Sequence, residues 1–245
     1  MDKIAVISDI HGNLPALEAT LADIRRRGIE TIYCLGDLVG KGPQSAAAVD
    51  MCRECCDVVV CGNWDDFIQR DTDNPVVRWH QDQLGSERLA YLARLPYSLD
   101  FLLSGRRVRL YHASQAGIYH RVFHDASYDT HLEMFANTEL TGCGAPEPDV
   151  VGYGDIHQAF VLALSRHPKT LFNTGSVGNP LDQTTAAYAI LEGCRDSEAA
   201  APFGVQIVRL PYDIERAIAV AEIMRMPDLE PYATELRTAV YRGRQ

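Results

Sequence analysis

Three short apolar runs, Ile4-Ala5-Val6-Ile7, Thr31-Ile32-Tyr33-Cys34-Leu35 and Val58-Val59-Val60-Cys61, alternate with two stretches of helical character. Runs of this length suit buried strands. Between them, Leu14, Leu17, Leu21 and Ile24 repeat at helical spacing, with Asn13 and Pro15 at the start and Gly28 at the close. Residues 46–56 read as a second helix. Strand, helix, strand, helix, strand implies right-handed parallel crossovers. In sheets of that kind, sites form at the carboxyl ends of the strands. The residues just past each run therefore matter more than the run itself. The first run leads into Ser8-Asp9-Ile10-His11-Gly12, the second into Gly36-Asp37, the third into Gly62-Asn63-Trp64-Asp65. Read as extended chain, Asp9 and His11 point to one side. A carboxylate and an imidazole so placed can share a divalent metal.

The remainder of the chain supplies more strand ends. Residues 65–97 read as mostly helical and are expected to cover one edge of the site. The runs 98–103 and 107–111 flank Ser104-Gly105-Arg106, a hairpin signal, and the second ends at His112. Residues 113–127 read as loop and 130–136 as a short helix. Val150-Val151-Gly152-Tyr153-Gly154 leads into Asp155-Ile156-His157. Further strands are expected at 160–164, 170–172, 187–191 and 205–210. Gly175-Ser176-Val177-Gly178 lacks a lysine and opens no helix, so it is a tight turn near His157 and not a P-loop. Lys41-Gly42-Pro43 reads as a surface turn or as an anion contact, and His167 before Pro168 as solvated. Residues 213–240 read as one or two amphipathic helices interrupted at Pro227 and Pro231. No repeat or linker divides the chain. One domain over 1–245 is expected, with a C-terminal helical segment at about 212–241 packing on the core or on a second subunit, which leaves a homo-oligomer open.

A formal charge of −10 with no long Lys/Arg run argues against a nucleic-acid polymer or an anionic membrane as partner. Arg25-Arg26-Arg27 fits the cationic last turn of a helix. A small anion at a metal site remains compatible, because the metal brings its own charge. Met1-Asp2-Lys3 runs straight into a strand, no apolar run reaches membrane length, and the seven cysteines are odd in number. These features predict reduced thiols and a cytoplasmic protein. Cys52, Cys55 and Cys56 lack a second pair at zinc-site spacing and read as small buried thiols on a helix. Ser114 and Ser176 have no nucleophile elbow around them.

Seven polar residues at strand ends thus form a series: Asp9, His11, Asp37, Asn63, His112, Asp155 and His157. Two divalent ions with oxygen and nitrogen ligands, one carboxylate bridging, use this set fully. The donor mix suits Mn, Fe or Zn better than Ca. Such a pair, roughly 3.5–4 Å apart, clamps a phosphate and activates a water for in-line attack. The series resembles the calcineurin-like metallophosphoesterase family, whose pattern runs D-x-H, G-D, G-N-H-[ED], H and G-H-x-H. The segment from Asn173 to Pro180, followed by Ala187-Tyr188-Ala189-Ile190-Leu191, is similar to its small bacterial phosphodiesterase branch. The resemblance implies a four-layer α/β/β/α sandwich of two mixed sheets with a dimetal site between them. It also implies that Asp9, His11 and His157 hold one ion, that Asp37 bridges, and that Asn63 and His112 hold the other.

Two positions depart from the family pattern. Trp64 stands where the family has a phosphate-contacting histidine, and Asp155 where it has a histidine ligand of the second metal. Indole delivers no proton at neutral pH, so an alkoxide leaving group loses about 10²–10⁴-fold in rate. Phosphate leaving groups need less help, which points to phosphoanhydrides such as nucleotides or dinucleoside polyphosphates, with Trp64 free to stack on a base. Otherwise Trp64 only packs the rim and His80, His120 or His124 acts in its place. Asp155 reads as a serviceable ligand that lowers the charge around two divalent ions from about +2 to about +1, or as too short to reach. The expected function is metal-dependent hydrolysis of a small phosphodiester, phosphomonoester or phosphoanhydride. The competing reading is a catalytically weakened regulatory protein that binds a nucleotide or metal on the same fold.

Overall fold

The computed structural model describes residues 1–144 and 146–243. Its central strand, β1 (Asp2–Ile7), is buried on both faces from Ile4 onward. Ile4 and Val6 face a second sheet, while Ala5 and Ile7 face helices. This two-sided burial is why the run is continuously apolar instead of alternating. The helix α1 (Leu14–Arg26) starts where expected, Asn13 Oδ1 accepting from Ala16 N at 3.2 Å with a proline in the first turn. Next come β2 (Thr31–Cys34), α2 (Ser45–Cys55), β3 (Val58–Val59), α3 (Asn63–Phe67) and α4 (Pro75–Leu92). The hairpin is β4 (Ser98–Leu103) and β5 (Arg106–Tyr111), and α5 (Tyr128–Glu133) begins two residues before its expected start. Five strands follow: β6 (Val150–Tyr153), β7 (Phe160–Leu164), β8 (Lys169–Asn173), β9 (Ala186–Gly193) and β10 (Gly204–Leu210). The chain then forms α6 (Ile214–Ile223) and α7 (Leu229–Thr238) and ends in a 3₁₀ turn at Tyr241–Gly243.

The strands form two five-stranded mixed sheets, in the orders β10-β9-β1-β2-β3 and β4-β5-β6-β8-β7. β1, β2 and β3 are parallel, as are β5, β6 and β8. The sheets face each other across a core of Ile4, Val6, Tyr33, Leu35, Leu103, Val108, Leu110 and Phe172. A second core under α1, α2 and α4 covers the outer face of the first sheet. A third, with Met134 and Phe135 beside α5, covers the other. This is the expected α/β/β/α sandwich. Packing the two parallel triplets face to face brings the carboxyl ends of β1, β2, β3, β5 and β6 to one rim.

One reading changes. Pro231 does not interrupt a helix. It lies in the first turn of α7, where a missing N–H costs nothing. The C-terminal helices pack on their own core, α6 against α1 and α7 against α6, through Ala217, Ala221, Tyr232 and Leu236. Among the described residues no helix is long and apolar enough to cross a membrane. Cys34 and Cys52 are buried, and all seven cysteines are free thiols.

Candidate metal centre

Each site residue sits immediately past a strand, but not as extended chain. Asp9, His11, Asp37, Asp155 and His157 all have positive φ, between 48° and 62°. Residues other than glycine adopt this left-handed region rarely, and it clusters at functional sites. Asp9 and His11 therefore converge through a tight turn, not through strand alternation. The turn is held in place from both sides. Asp9 N donates to Gly36 O at 3.0 Å and His11 N to Asp37 O at 2.9 Å. On the other flank Gly178 N and Ser176 Oγ both donate to Asp9 O, at 2.9 and 2.8 Å. The Gly175–Gly178 segment is thus a clamp on the Asp9 turn. Gly154 lets β6 approach the same turn: a Cβ there would stand 2.1 Å from Ser8 Oγ.

Three histidines converge with a fixed orientation. His11 Nδ1 lies 3.0 Å from Val39 O, His112 Nδ1 lies 2.7 Å from Leu35 O, and His157 Nδ1 is bonded to Asn179 O. A carbonyl only accepts, so each Nδ1 carries a proton and each Nε2 is the ring atom left to bind a metal or a second proton. His11 Nε2 and His157 Nε2 then face each other at 3.3 Å. Two lone pairs at that distance repel unless a cation lies between them. Asp9 Oδ1 is 3.1 Å from His157 Nε2, and Asp37 places Oδ2 3.5 Å from His11 Nε2 and Oδ1 3.5 Å from His112 Nε2. Asp9 Oδ1 and His112 Nε2 are fully buried with no hydrogen-bond partner. Unpartnered buried polar atoms of this kind fit a bound metal ion. Two ligand groups close up, Asp9–His11–His157 and Asp9–Asp37–His112. Asp9 belongs to both groups, while Asp37 turns one oxygen toward each.

Asp65 closes the third motif, and the sequence assigns it no role. Its carboxylate accepts from Asp37 N at 2.8 Å, Gly62 N at 3.0 Å and Leu38 N at 3.0 Å. It fixes the Asp37 turn, and burial, against these bonds, pushes its pKa up to about 6. Burial also pushes Asp37 well above the usual carboxylate range, the charges of Asp9 and Asp65 adding to it. Burial alone would lower His112, but Asp37, Asp9 and Asp155 lift it to about 9. Burial depresses His11, assisted by Lys41 and His157.

These shifts fix the sign of a pH effect. Without metal, folded His112 holds its proton up to about 9, whereas the unfolded chain releases it near 6.5. Its contribution is complete below 6.5 and is lost as pH rises through about 9. The raised Asp37 acts in the same direction, since the folded state again binds the extra proton. A metal on His112 Nε2 replaces that proton. Chelated protein is therefore expected to lose roughly 3 kcal/mol, or about 6–12 °C in Tm, between pH 6.5 and 9, while Mn²⁺-loaded protein does not follow that decline. Thermal melts across this range, with and without chelator, check it.

The second half of the centre is built differently from the first. Asp155 lies outside both ligand groups, 3.8 Å from His112 Nε2. Asn63 Nδ2 donates to its Oδ1 at 2.8 Å, which leaves Asn63 Oδ1 as the open atom of that amide. Arg121, from the 113–127 loop, donates to Asp155 through Nε at 2.9 Å and Nη2 at 2.8 Å. The charge deficit expected at Asp155 is thus offset by a neighbouring cation. Sequence reasoning missed Arg121, although an acid in a metal-ligand motif itself asks for one.

A cavity of about 590 Å³ opens over the centre, lined on the site side by Asp37, Asn63, Trp64, Arg121, Asp155 and His157. Its far wall, Tyr232, Glu235, Tyr241 and Arg242, comes from α7 and the 3₁₀ turn. Lys41 lines it too. The lysine is no surface turn: its side chain is 17% exposed and donates to Asn179 Oδ1 at 2.7 Å, with Glu235 at 3.8 Å. Trp64 is half-buried, edge-on to His11 at 6.1 Å and to Phe67 at 5.8 Å. His80 is next to it, buried, with Nδ1 on Ser45 Oγ at 3.3 Å, and burial pushes its pKa down to about 4. A neutral imidazole is a poor acid, so His80 does not replace the missing histidine. His120 bonds Ser114 and His124 bonds Gln158, and neither lines the cavity.

A histidine–carboxylate centre at the strand ends of a two-sheet α/β/β/α sandwich defines the metallophosphoesterase class of fold. The chain belongs to the calcineurin-like phosphoesterase superfamily, whose domain model matches residues 2–196. An uncharacterized protein, MJ0912, from Methanocaldococcus jannaschii is 31% identical over 241 residues, covering 92% of this chain and 94% of that one. The crystal structure of a metallophosphoesterase from Sphaerobacter thermophilus superposes with a TM-score of 0.75 at 27% identity, covering 97% of this chain and all of that one. A hypothetical protein, PH1004, from Pyrococcus horikoshii OT3 has the same fold, with a TM-score of 0.75 at 17% identity over the full length of both chains. The wall of the cavity formed by α7 and the 3₁₀ turn lies beyond the matched family domain.

Proposed function

We propose that this protein is a metal-dependent hydrolase of small phosphorylated compounds, acting best on phosphoanhydrides such as nucleotides or dinucleoside polyphosphates. The carrying observation is the convergence of three Nδ1-tethered imidazoles with Asp9 and Asp37 beneath a cavity that also holds Lys41 and Arg121. Asp9, His11 and His157 would hold one divalent ion, His112 and Asn63 a second, and Asp37 would contact both. Mn, Fe or Zn fits these donors. When bound, the ions supply Lewis acidity, which activates water and neutralises phosphoryl charge.

The protein's own groups do the rest. Lys41 and Arg121 attract the anion. The Nδ1 bonds keep the imidazoles from turning. Trp64 offers an aromatic surface to a base and no proton to a leaving group. The wall formed by α7 and the 3₁₀ turn favours a small substrate over a polymer. Purified protein should hydrolyse dinucleoside polyphosphates with Mn²⁺ and not with chelator, and exceed alkyl phosphodiesters by about 10²-fold. Faster cleavage of the alkyl diesters would overturn the anhydride preference. No metal-dependent turnover of any ester or anhydride would favour the regulatory reading instead.

A further inference from the structure

Arg121 does more than neutralise Asp155. We propose that it is the cation that grips the substrate's phosphoryl group, and that Asp155 serves as its positioning residue, not as a metal ligand. The inference rests on the phosphohydrolase reading above and deepens it.

Both carboxylate oxygens of Asp155 are already engaged. Oδ1 accepts from Asn63 Nδ2 and Arg121 Nη2, both at 2.8 Å, and Oδ2 accepts from Arg121 Nε at 2.9 Å. A two-point bond of this kind fixes a guanidinium in plane and direction. It uses one edge of the fork, so Nη1, which makes no hydrogen bond among the described residues, is left for a ligand. Arg121 lines the cavity together with Asp37, Asn63 and His157, and its side chain is 49% exposed despite the buried partner. A solvent-accessible cation pinned by a buried acid, beside a candidate metal centre, matches what a phosphate oxyanion requires.

The loop that carries it is tethered on both sides. The Tyr119 hydroxyl donates to Asp66 Oδ2 at 2.6 Å and lies 3.2 Å from Asn63 O, tying the loop to α3. Tyr153 donates to Val122 O at 2.9 Å, tying it to β6, and Val122 itself is buried. Arg121 is therefore presented from a fixed backbone, and little ordering remains to be done on binding. Arginine also explains how the site can work without an acid. It stabilises negative charge developing on a leaving phosphate and transfers no proton, which suits an anhydride and not an alkoxide.

Inorganic phosphate is the probe, measured by calorimetry on Mn²⁺-loaded protein alongside metal content by plasma spectrometry. Arg121→Gln should keep the wild-type metal content and weaken phosphate by on the order of 10–10²-fold. Arg121→Lys should recover part of that loss, since it keeps the charge but not the fork. Asp155→Asn should keep the metal content, match the phosphate loss of Arg121→Gln, and add little in the double variant, because the two act as one unit. Loss of a metal ion from Asp155→Asn would make Asp155 a ligand and overturn the positioning role. Phosphate affinity in Arg121→Gln within about twofold of wild type would overturn the phosphoryl role. Should Asp155→Asn fail to fold, the Arg121 pair decides alone. Wild-type protein that binds no phosphate in the presence of Mn²⁺ would fail earlier, and with it the hydrolase reading itself.

Discussion

Asp37→Asn is expected to lower metal-dependent turnover by at least about 10³-fold while leaving the fold intact. The carboxylate stands between two imidazoles, one oxygen 3.5 Å from His11 Nε2 and the other 3.5 Å from His112 Nε2. Asparagine keeps the shape but loses the charge, and it turns a donor toward one of the two positions. The metal-free protein should respond in the opposite direction. Asp37 is buried beside Asp9 and Asp65, which is why its pKa is driven up. Neutralising it removes like-charge repulsion but also the attraction that keeps His112 charged, so the comparison is made above about pH 9, where His112 is neutral; there the Tm of the chelated variant should equal or exceed wild type. Its rise in Tm on adding Mn²⁺ should shrink, because that rise measures binding. Loss of activity together with a lower chelated Tm would mean that Asp37 is structural. Turnover within about tenfold of wild type would remove it from the centre.

The legibility of the residues alone divides along physical lines. Apolar runs and helical spacing are local and periodic, so the alternation of strand and helix up to residue 62 and the rim of strand ends are both visible in them. The convergence of Asp9 and His11 is visible too, but for the wrong reason. Nothing in a sequence pattern announces that both residues, with Asp37, Asp155 and His157, take left-handed backbone. That conformation depends on the ladder from Asp9 N to Gly36 O and on the clamp from Gly178, which pair segments far apart in the chain. Lys41, left open between a surface turn and an anion contact, is only half legible, and Arg121 is not legible at all, for a related reason. Each lies in a loop with no period, and each is defined by a distant partner, Asn179 and Asp155 respectively. The cavity wall from Tyr232 to Arg242 has the pattern of an ordinary amphipathic helix end. Only tertiary packing, α6 on α1 and α7 on α6, carries it over the site.

Trp64→His should restore what the third motif lacks and raise alkyl phosphodiester turnover by about 10²-fold or more. The exchange is local. Trp64 N donates to Asp37 Oδ1 at 2.8 Å from the main chain, so that bond survives. Room exists for the smaller ring, since the indole lies so close over Gly40 that a Cβ there would stand 2.2 Å from Cε3. Packing against Phe67 and His80 is lost, at a cost of about 2 kcal/mol. The new imidazole would line the cavity beside Asp37, where its proton can reach a leaving oxygen, as His80 with its pKa near 4 cannot. Anhydride turnover should gain little, because phosphate leaves without a proton. Its KM should rise if the indole stacks on a base, a contact worth about 1–3 kcal/mol. Trp64→Phe separates the two roles: it keeps an aromatic face, offers no proton, and should leave alkyl ester turnover low. A gain of less than about tenfold for the histidine variant on alkyl diesters would mean that leaving-group protonation does not set the preference. The selectivity would then have to come from the grip of Arg121 and Lys41 on a second phosphate, which a matched pair of mono- and dinucleoside substrates would expose.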